Sequence, residues 1–290
     1  MIEIEPFSNV YPSKIILFGE YTVLTGGTAL AIPLNTYFSQ WKVGKSEVSD
    51  ALFNHFMKVS SNYPDIEFST NAWNKIKSKN LFLYSTIPHG YGLGSSGNYI
   101  AALADTCCSF DKKLTPVEIK KILGELENYF HGNSSGLDPL VIFLKKTTLI
   151  SGGNVKLNNS NLNLSNFYLY DSGIKRQAQP LIQLFNEKIK NQIFKSAIEK
   201  LKVYNEDSID LILNNQNIES KIREISQLQF EYMSEWIPNF IKALWQEGLE
   251  KDLYYFKFCG AGGGGFFLVY TKNEPSNDFQ MLDLIPISSV

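Results

Sequence analysis

The sequence has little cysteine, little histidine, no excess of charge of either sign and no long apolar run. Its three cysteines, Cys107, Cys108 and Cys259, show no C-x-x-C spacing, which excludes a disulfide framework and a thiolate zinc site. Cys107 and Cys108 fall inside an apolar helical pattern, so buried, unreactive thiols in a reducing compartment are expected. His55, His89 and His131 are too scattered for a histidine metal cluster. No stretch reaches the ~18 apolar residues of a membrane span. The opening MIEIEPFSNV is acidic and precedes no apolar stretch, so no secretory signal is expected. With 27 Lys+Arg against 29 Asp+Glu, the net charge of -2 argues against a nucleic-acid binder. It leaves room for a small anion held by local donors. A cytoplasmic location is the expectation.

What is present is core material. The 290 residues are 44% hydrophobic and 19% charged, enough for one large or two ordinary packed domains. Lys14 to Phe18 (KIILF), Tyr21 to Leu24, Ala29 to Ile32 and residues 81–87 (LFLYSTI) read as strands. Asn98 to Phe110 repeats apolar residues at helical spacing. Thr115-Pro116 opens a second helix, with an N-cap hydroxyl followed by proline in the first turn. Residues 152–166 (GGNVKLNNSNLNLSN) mark a loop or domain junction. Beyond it come a strand (FYLYDSG), amphipathic helices over 177–201 and 206–250, and two strands (YYFKF, FFLVY) around a glycine run. Two batches of strands and helices predict an α+β chain of two lobes, 1–160 and 161–290.

Two glycine loops stand out. The first is Pro88-His89-Gly90-Tyr91-Gly92-Leu93-Gly94-Ser95-Ser96-Gly97, running into a helix. Glycine lets backbone approach a ligand closely. A helix N-terminus offers unpaired N–H groups to phosphate. Ser95 and Ser96 add hydroxyls able to donate a hydrogen bond or to ligate Mg²⁺. A G-x-G-x-x-G dinucleotide fingerprint is present in Gly92 to Gly97. The parallel strand it needs ahead of Asp111 is replaced by the Thr115 helix. Gly44-Lys45-Ser46 ends like a P-loop, but Ser39 occupies the place of its first glycine. Protein-kinase signatures are absent. The second loop, Cys259-Gly260-Ala261-Gly262-Gly263-Gly264-Gly265, holds five glycines in six positions. So many imply backbone pressed against a ligand or another loop.

Acidic residues lie near by in sequence. Glu127 and His131 are four apart on the Thr115 helix and face one way. Asp138 follows Gly132-Asn133-Ser134-Ser135-Gly136-Leu137, where it would serve either chemistry or as a helix N-cap.

Taken together, PSKIILFGEYTVLTGG (12–27), PHGYGLGSSG (88–97) and KFCGAGGGG (257–265) resemble the GHMP superfamily of small-molecule kinases. HGNSSGLD (131–138) is similar to the mevalonate kinase signature, with Ser134 in place of its usual proline, and the nearest likeness is to compact bacterial members. The resemblance implies a ribosomal protein S5 domain 2-like N-terminal lobe and a ferredoxin-like α/β sandwich C-terminal lobe. It implies ATP and Mg²⁺, with transfer of phosphate to the primary hydroxyl of mevalonate. By the same resemblance Asp138 and Lys14 are catalytic. Gly92, Leu93, Gly94, Ser95, Ser96, Gly97, Gly262 and Gly263 bind the nucleotide. Ser96 and Glu127 hold the metal, and Glu20, Tyr21, His131 and Ser135 lie on the substrate side. Lys175 or Arg176 would face an anionic carboxylate. Tyr21 replaces a frequent histidine, and Ala178 stands where a hydroxyl residue is usual. No nucleic-acid or membrane partner is implied, and a homodimer is compatible. The alternatives are phosphomevalonate kinase, another GHMP kinase, or a non-catalytic binding protein of the same fold.

Overall fold

The structure, a computed structural model, describes residues 6–273 and 282–287. The first half contains β1 (Val10–Phe18), β2 (Ala29–Val43), α1 (Asp50–Ser61), β3 (Ile66–Phe68), α2 (Thr70–Ser78), β4 (Leu81–Ser85), α3 (Ser95–Cys107), β5 (Cys108–Phe110), α4 (Pro116–His131), α5 (Leu137–Leu144), β6 (Thr147–Ser151) and β7 (Asn154–Asn158). The second half contains β8 (Phe167–Asp171), α6 (Ala178–Lys188), α7 (Gln192–Leu213), α8 (Glu219–Tyr232), α9 (Asn239–Lys251), β9 (Tyr254–Phe258), β10 (Phe266–Thr271) and β11 (Leu284–Pro286).

β2 is the spine of the first sheet. It runs antiparallel to β1 along most of its length, to β6 at its start and to β4 at its end, and β7 closes the edge against β6. Pro12 sits beside a register shift in the β1–β2 ladder, as expected of a residue with no N–H to donate. The second sheet has the order β11-β8-β10-β9, with every pairing antiparallel. β3 and β5 pair in a third, two-stranded sheet, and mixed helix and strand make the chain α+β, as expected.

The termini of α4 follow directly from its sequence. Thr115 and Glu118 form a reciprocal capping box, Pro116 occupies the first turn, and Gly132 ends the helix in the left-handed region. Three expectations shift. Tyr21 to Leu24 is no strand, because Tyr21 takes φ 62° and the chain turns through a 3₁₀ segment over Thr22–Thr25. A third of the expected 152–166 loop is β7, joined to β6 across Gly152-Gly153 in a two-residue hairpin. The break expected near 201–206 is absent, and α7 runs through it.

The apolar core does not divide where the sheets do. Ile15, Leu17, Leu30 and Ile32 of the first sheet are fully buried in one cluster with Leu169, Phe256, Phe267 and Trp236 of the second half. A separate core joins α1, α2, α3 and α4 through Phe56, Trp73, Leu103 and Leu123. No helix among the described residues is long and apolar enough to cross a membrane.

Cys107 and Cys259 are buried and Cys108 is partly so. Burial pushes the Cys108 thiol up to about 12 and that of Cys259 to about 11, and raises Cys107 further. At neutral pH none of the three should react promptly with a disulfide reagent until denaturant is added. Prompt labelling of the native protein would show that these cores open readily.

Candidate active site

Four elements converge on one point. β1 presents Lys14, the glycine loop leads into α3, α4 presents Glu127, and α5 presents Asp138. The Lys14 amide donates to the Leu93 carbonyl at 3.1 Å, fixing the glycine loop to β1. Asn98, fully buried on the first turn of α3, donates to the Tyr11 and Pro12 carbonyls and accepts from the Ser39 hydroxyl. These bonds set where α3 starts.

Glycine is required at two positions here. Gly94, at φ +75°, forms the left-handed N-cap of α3, and a Cβ on it would lie 3.2 Å from both Asp138 Oδ2 and Lys14 Cγ. On Gly97 a Cβ would stand 2.7 Å from Asp138 Cβ and 2.8 Å from the Pro139 nitrogen. The missing side chain therefore lets α3 press against the first turn of α5. Lys14 Nζ meets Asp138 Oδ1 at 2.9 Å, with Lys14 buried and the Asp138 side chain 32% exposed. Asp138 is not an N-cap. That place belongs to Gly136, and Asp138 turns its carboxylate to Lys14 instead.

Beside this pair, the Ser96 hydroxyl donates to Glu127 Oε1 at 2.8 Å. Ser134 donates to the other oxygen of the same carboxylate, which is 5% exposed. One helical turn further along, Tyr99 of α3 meets Phe130 of α4 edge-on at 6.0 Å. The paired helices thus form a short ladder, polar at Ser96–Glu127 and aromatic at Tyr99–Phe130, with rungs three residues and about 4.5 Å apart along each axis. Ser96, Tyr99 and Phe130 of the ladder line a cleft of about 580 Å³ with Gly90, Ser95, Leu52, Leu83 and Tyr129, and with Glu47 and Ser49 from the segment just before α1. No side chain caps α3 at Gly94. A helix start of this kind carries amides without intrahelical acceptors and a partial positive charge, which together suit an anion.

The structure treats the expected substrate-side residues differently. Ser135 is exposed at the entry to α5, its hydroxyl accepting from the Leu137 amide at 3.3 Å. The side chain of His131 lies outside the described residues. Tyr21 is 4% exposed; its ring packs on Phe185 and Trp236, and its hydroxyl donates to the Ala261 carbonyl at 2.6 Å. Glu20 is 3% exposed and bonded to Lys257 Nζ at 2.5 Å. Burial pushes its carboxyl up, while Lys257 and, more weakly, Lys14 draw it back down. Tyr21 and Glu20 are thus enclosed by protein, Tyr21 by Phe185, Trp236 and Ala261 and Glu20 beside Lys257.

Protein fills the space around the third glycine loop. A Cβ on Gly263 would lie 2.6 Å from Leu181, and one on Gly262 would lie 3.0 Å from the Trp236 carbonyl. Gly262 and Gly263, expected against the nucleotide, are therefore packed against other segments of the chain. The guanidinium of Arg176 fills the places that side chains on Gly92 and Gly260 would take, so it lies between the two glycine loops. Its backbone N–H donates to the Gly90 carbonyl at 3.0 Å. Arg176 as the bridge, Lys257 as the partner of Glu20, and the aromatic rung were not foreseen. The rung had a signal in the i, i+3 spacing of Ser96 to Tyr99 and Glu127 to Phe130.

Residues 58–146 match the family model of the GHMP kinases N terminal domain. Over 157 residues the chain is 33% identical to the mevalonate kinase of Thermococcus sibiricus, an alignment covering 45% of this chain and 47% of that one. The chain thus spans about half the length of the curated relatives it matches. The mevalonate kinase structure from Methanococcus jannaschii superposes over 95% of both chains, with a TM-score of 0.62 at 20% identity. This chain has the GHMP kinase fold. The phosphomevalonate kinase of Streptococcus pneumoniae shares that fold, with a TM-score of 0.65 and 15% identity over 97% of this chain and 98% of that one. Within the GHMP kinase fold, the matched segment 58–146 contains the first glycine loop, Ser96, Glu127 and Asp138.

Gly97→Ala should lower stability by ~1–3 kcal/mol, the usual cost of overpacking. Urea unfolding measures it. An unchanged midpoint would mean that α3 and α5 separate easily.

Proposed function

We propose that the chain is an ATP-dependent kinase that phosphorylates the primary hydroxyl of mevalonate. The observation that carries this reading is the Lys14–Asp138 ion pair beneath Gly94, beside the Ser96–Glu127 pair. Phosphoryl transfer asks a protein mainly for positioning and charge neutralisation. Asp138, partly exposed, orients the acceptor hydroxyl and takes its proton. Lys14 holds that carboxylate in place through their ion pair and offsets charge on the transferred group. The start of α3 receives the nucleotide phosphates, and the aromatic rung with Leu52 and Leu83 receives its base.

Magnesium, when bound, would neutralise phosphate charge. Among the described residues no group of three or more His, Cys, Asp and Glu side chains could hold a metal alone. Ser96 and Glu127 offer two hard oxygen donors, which suits an ion completed by phosphate oxygens and water. In this reading residues 1–160 and 161–290 are the two lobes, and the acceptor lies between Asp138 and Arg176. Arg176 would then hold the substrate carboxylate. Tyr21 and Glu20 act behind the pocket wall. The mevalonate kinase name of the curated relatives favours this acceptor over phosphomevalonate, which would need further cations for its phosphate.

Purified protein with ATP, Mg²⁺ and mevalonate should release ADP, and omission of either the acid or the metal should abolish release. Turnover of phosphomevalonate or homoserine instead would discard the acceptor and keep the kinase. Asp138→Asn should lower kcat by roughly 10²–10⁴-fold while nucleotide affinity holds. Full turnover in that variant would remove Asp138 from the chemistry.

A further inference from the structure

Two neighbouring side chains reach from the end of β1 to the strand and loop at 257–261. Glu20 pairs with Lys257 Nζ at 2.5 Å, and the Tyr21 hydroxyl donates to the Ala261 carbonyl at 2.6 Å. Midway between these anchors, the Cys259 carbonyl accepts from Arg176 Nη1 at 3.4 Å. The same nitrogen lies 2.4 Å from where a Cβ on Gly260 would stand, so the guanidinium rests directly on the loop. Arg176 is therefore seated on a segment whose two ends are held from residues 20 and 21. The hold at Tyr21 is imposed on its backbone. Tyr21 takes φ 62°, a region that a bulky side chain rarely adopts. Such a conformation persists where the surroundings over-determine it. Here the ring is wedged against Phe185 and Trp236, and the hydroxyl ends on Ala261. A phenylalanine would serve the ring contacts equally well. The hydroxyl has a separate task, and its partner is the loop under Arg176.

We propose that Tyr21 is a positioning residue for Arg176: by holding the Ala261 carbonyl it fixes the seat of the guanidinium, and through it the grip on the acceptor's carboxylate. Tyr21 is enclosed by protein and acts at second hand. A guanidinium binds a carboxylate through directional, paired N–H donors, so a small shift of its seat weakens that contact. The reacting end at Asp138 and Lys14 is built from other elements and stays in place. The inference rests on the kinase reading for its kinetic arm only.

Tyr21→Phe keeps the ring and removes the hydroxyl that bonds Ala261. KM for mevalonate should rise roughly 3–10-fold, the worth of one hydrogen bond. Its kcat and its KM for ATP should each stay within about twofold of the wild type, the pattern of lost acceptor binding. Arg176→Gln should raise the same KM, and adding Tyr21→Phe to it should change nothing more, because one residue acts through the other. A fall in kcat with KM unchanged, or effects that multiply in the double variant, overturns the proposal. Hydrogen exchange read by mass spectrometry needs no turnover. In Tyr21→Phe the amides of 259–265 and that of Arg176, which donates to the Gly90 carbonyl, should exchange faster, while those of α3 hold their rate. An unchanged rate at Arg176 overturns the proposal. If Tyr21→Phe does not fold, Arg176→Gln still decides: it should quicken exchange over 259–261, and an unchanged rate there overturns the coupling. If the wild type turns over no acceptor yet exchange quickens as described, the kinase reading fails and the link from Tyr21 to Arg176 stands.

Discussion

Everything at the site depends on how closely α3 approaches α5. Gly97 offers no side chain, so the first turn of α5 can lie against it. That contact brings Asp138 under Gly94 and within reach of Lys14. Asn98, the next residue, ties the same helix to β1, the strand that carries Lys14. One helical turn thus carries the uncapped amides of α3, the contact with Asp138 and the anchor to the strand of Lys14. These functions cannot drift apart, because they share a backbone of four residues.

The second constraint is the latch between the glycine loops. Arg176 occupies the space above Gly92 and Gly260 at once, and a Cβ on Gly265 would meet the Tyr91 carbonyl at 2.7 Å. The third loop is glycine-rich because the protein itself crowds it from several sides. Its chain entropy cost is balanced by contact between segments distant in sequence. A cationic side chain held between the two glycine loops also keeps positive charge local in a chain with a net charge of -2.

Much of this was legible before any coordinates. Thr115-Pro116 and Glu118 spelled out the start of α4, and the strands around the glycine run fell where apolar runs predicted. The relation of Lys14, Ser96, Glu127 and Asp138 was readable only as a resemblance of motifs, since no periodicity brings residues 14 and 138 together. Other parts were hidden for physical reasons. β3 and β5 are three residues long, too short for alternation to register. α1 and α2 were not expected, although Ser49 and Ser69 cap them and Leu52, Phe56 and Val59 recur at helical spacing on α1. The burial of Glu20 was not visible because its partner, Lys257, lies 237 residues away. The fate of Gly262 and Gly263 turned on neighbours that come from α6 and from the turn before α9.

The shared core between the sheets bears on how the chain folds. Ile15, Leu17, Leu30 and Ile32 are covered by side chains that are made more than a hundred residues later. During synthesis the first sheet must therefore wait with an apolar face unshielded until β9 and β10 arrive. Such a surface is a natural client for a chaperone, and a chain severed within residues 159–166 would leave two sticky halves rather than two stable ones. Folding of the two halves is in this sense a single late event, sealed from the C-terminal side.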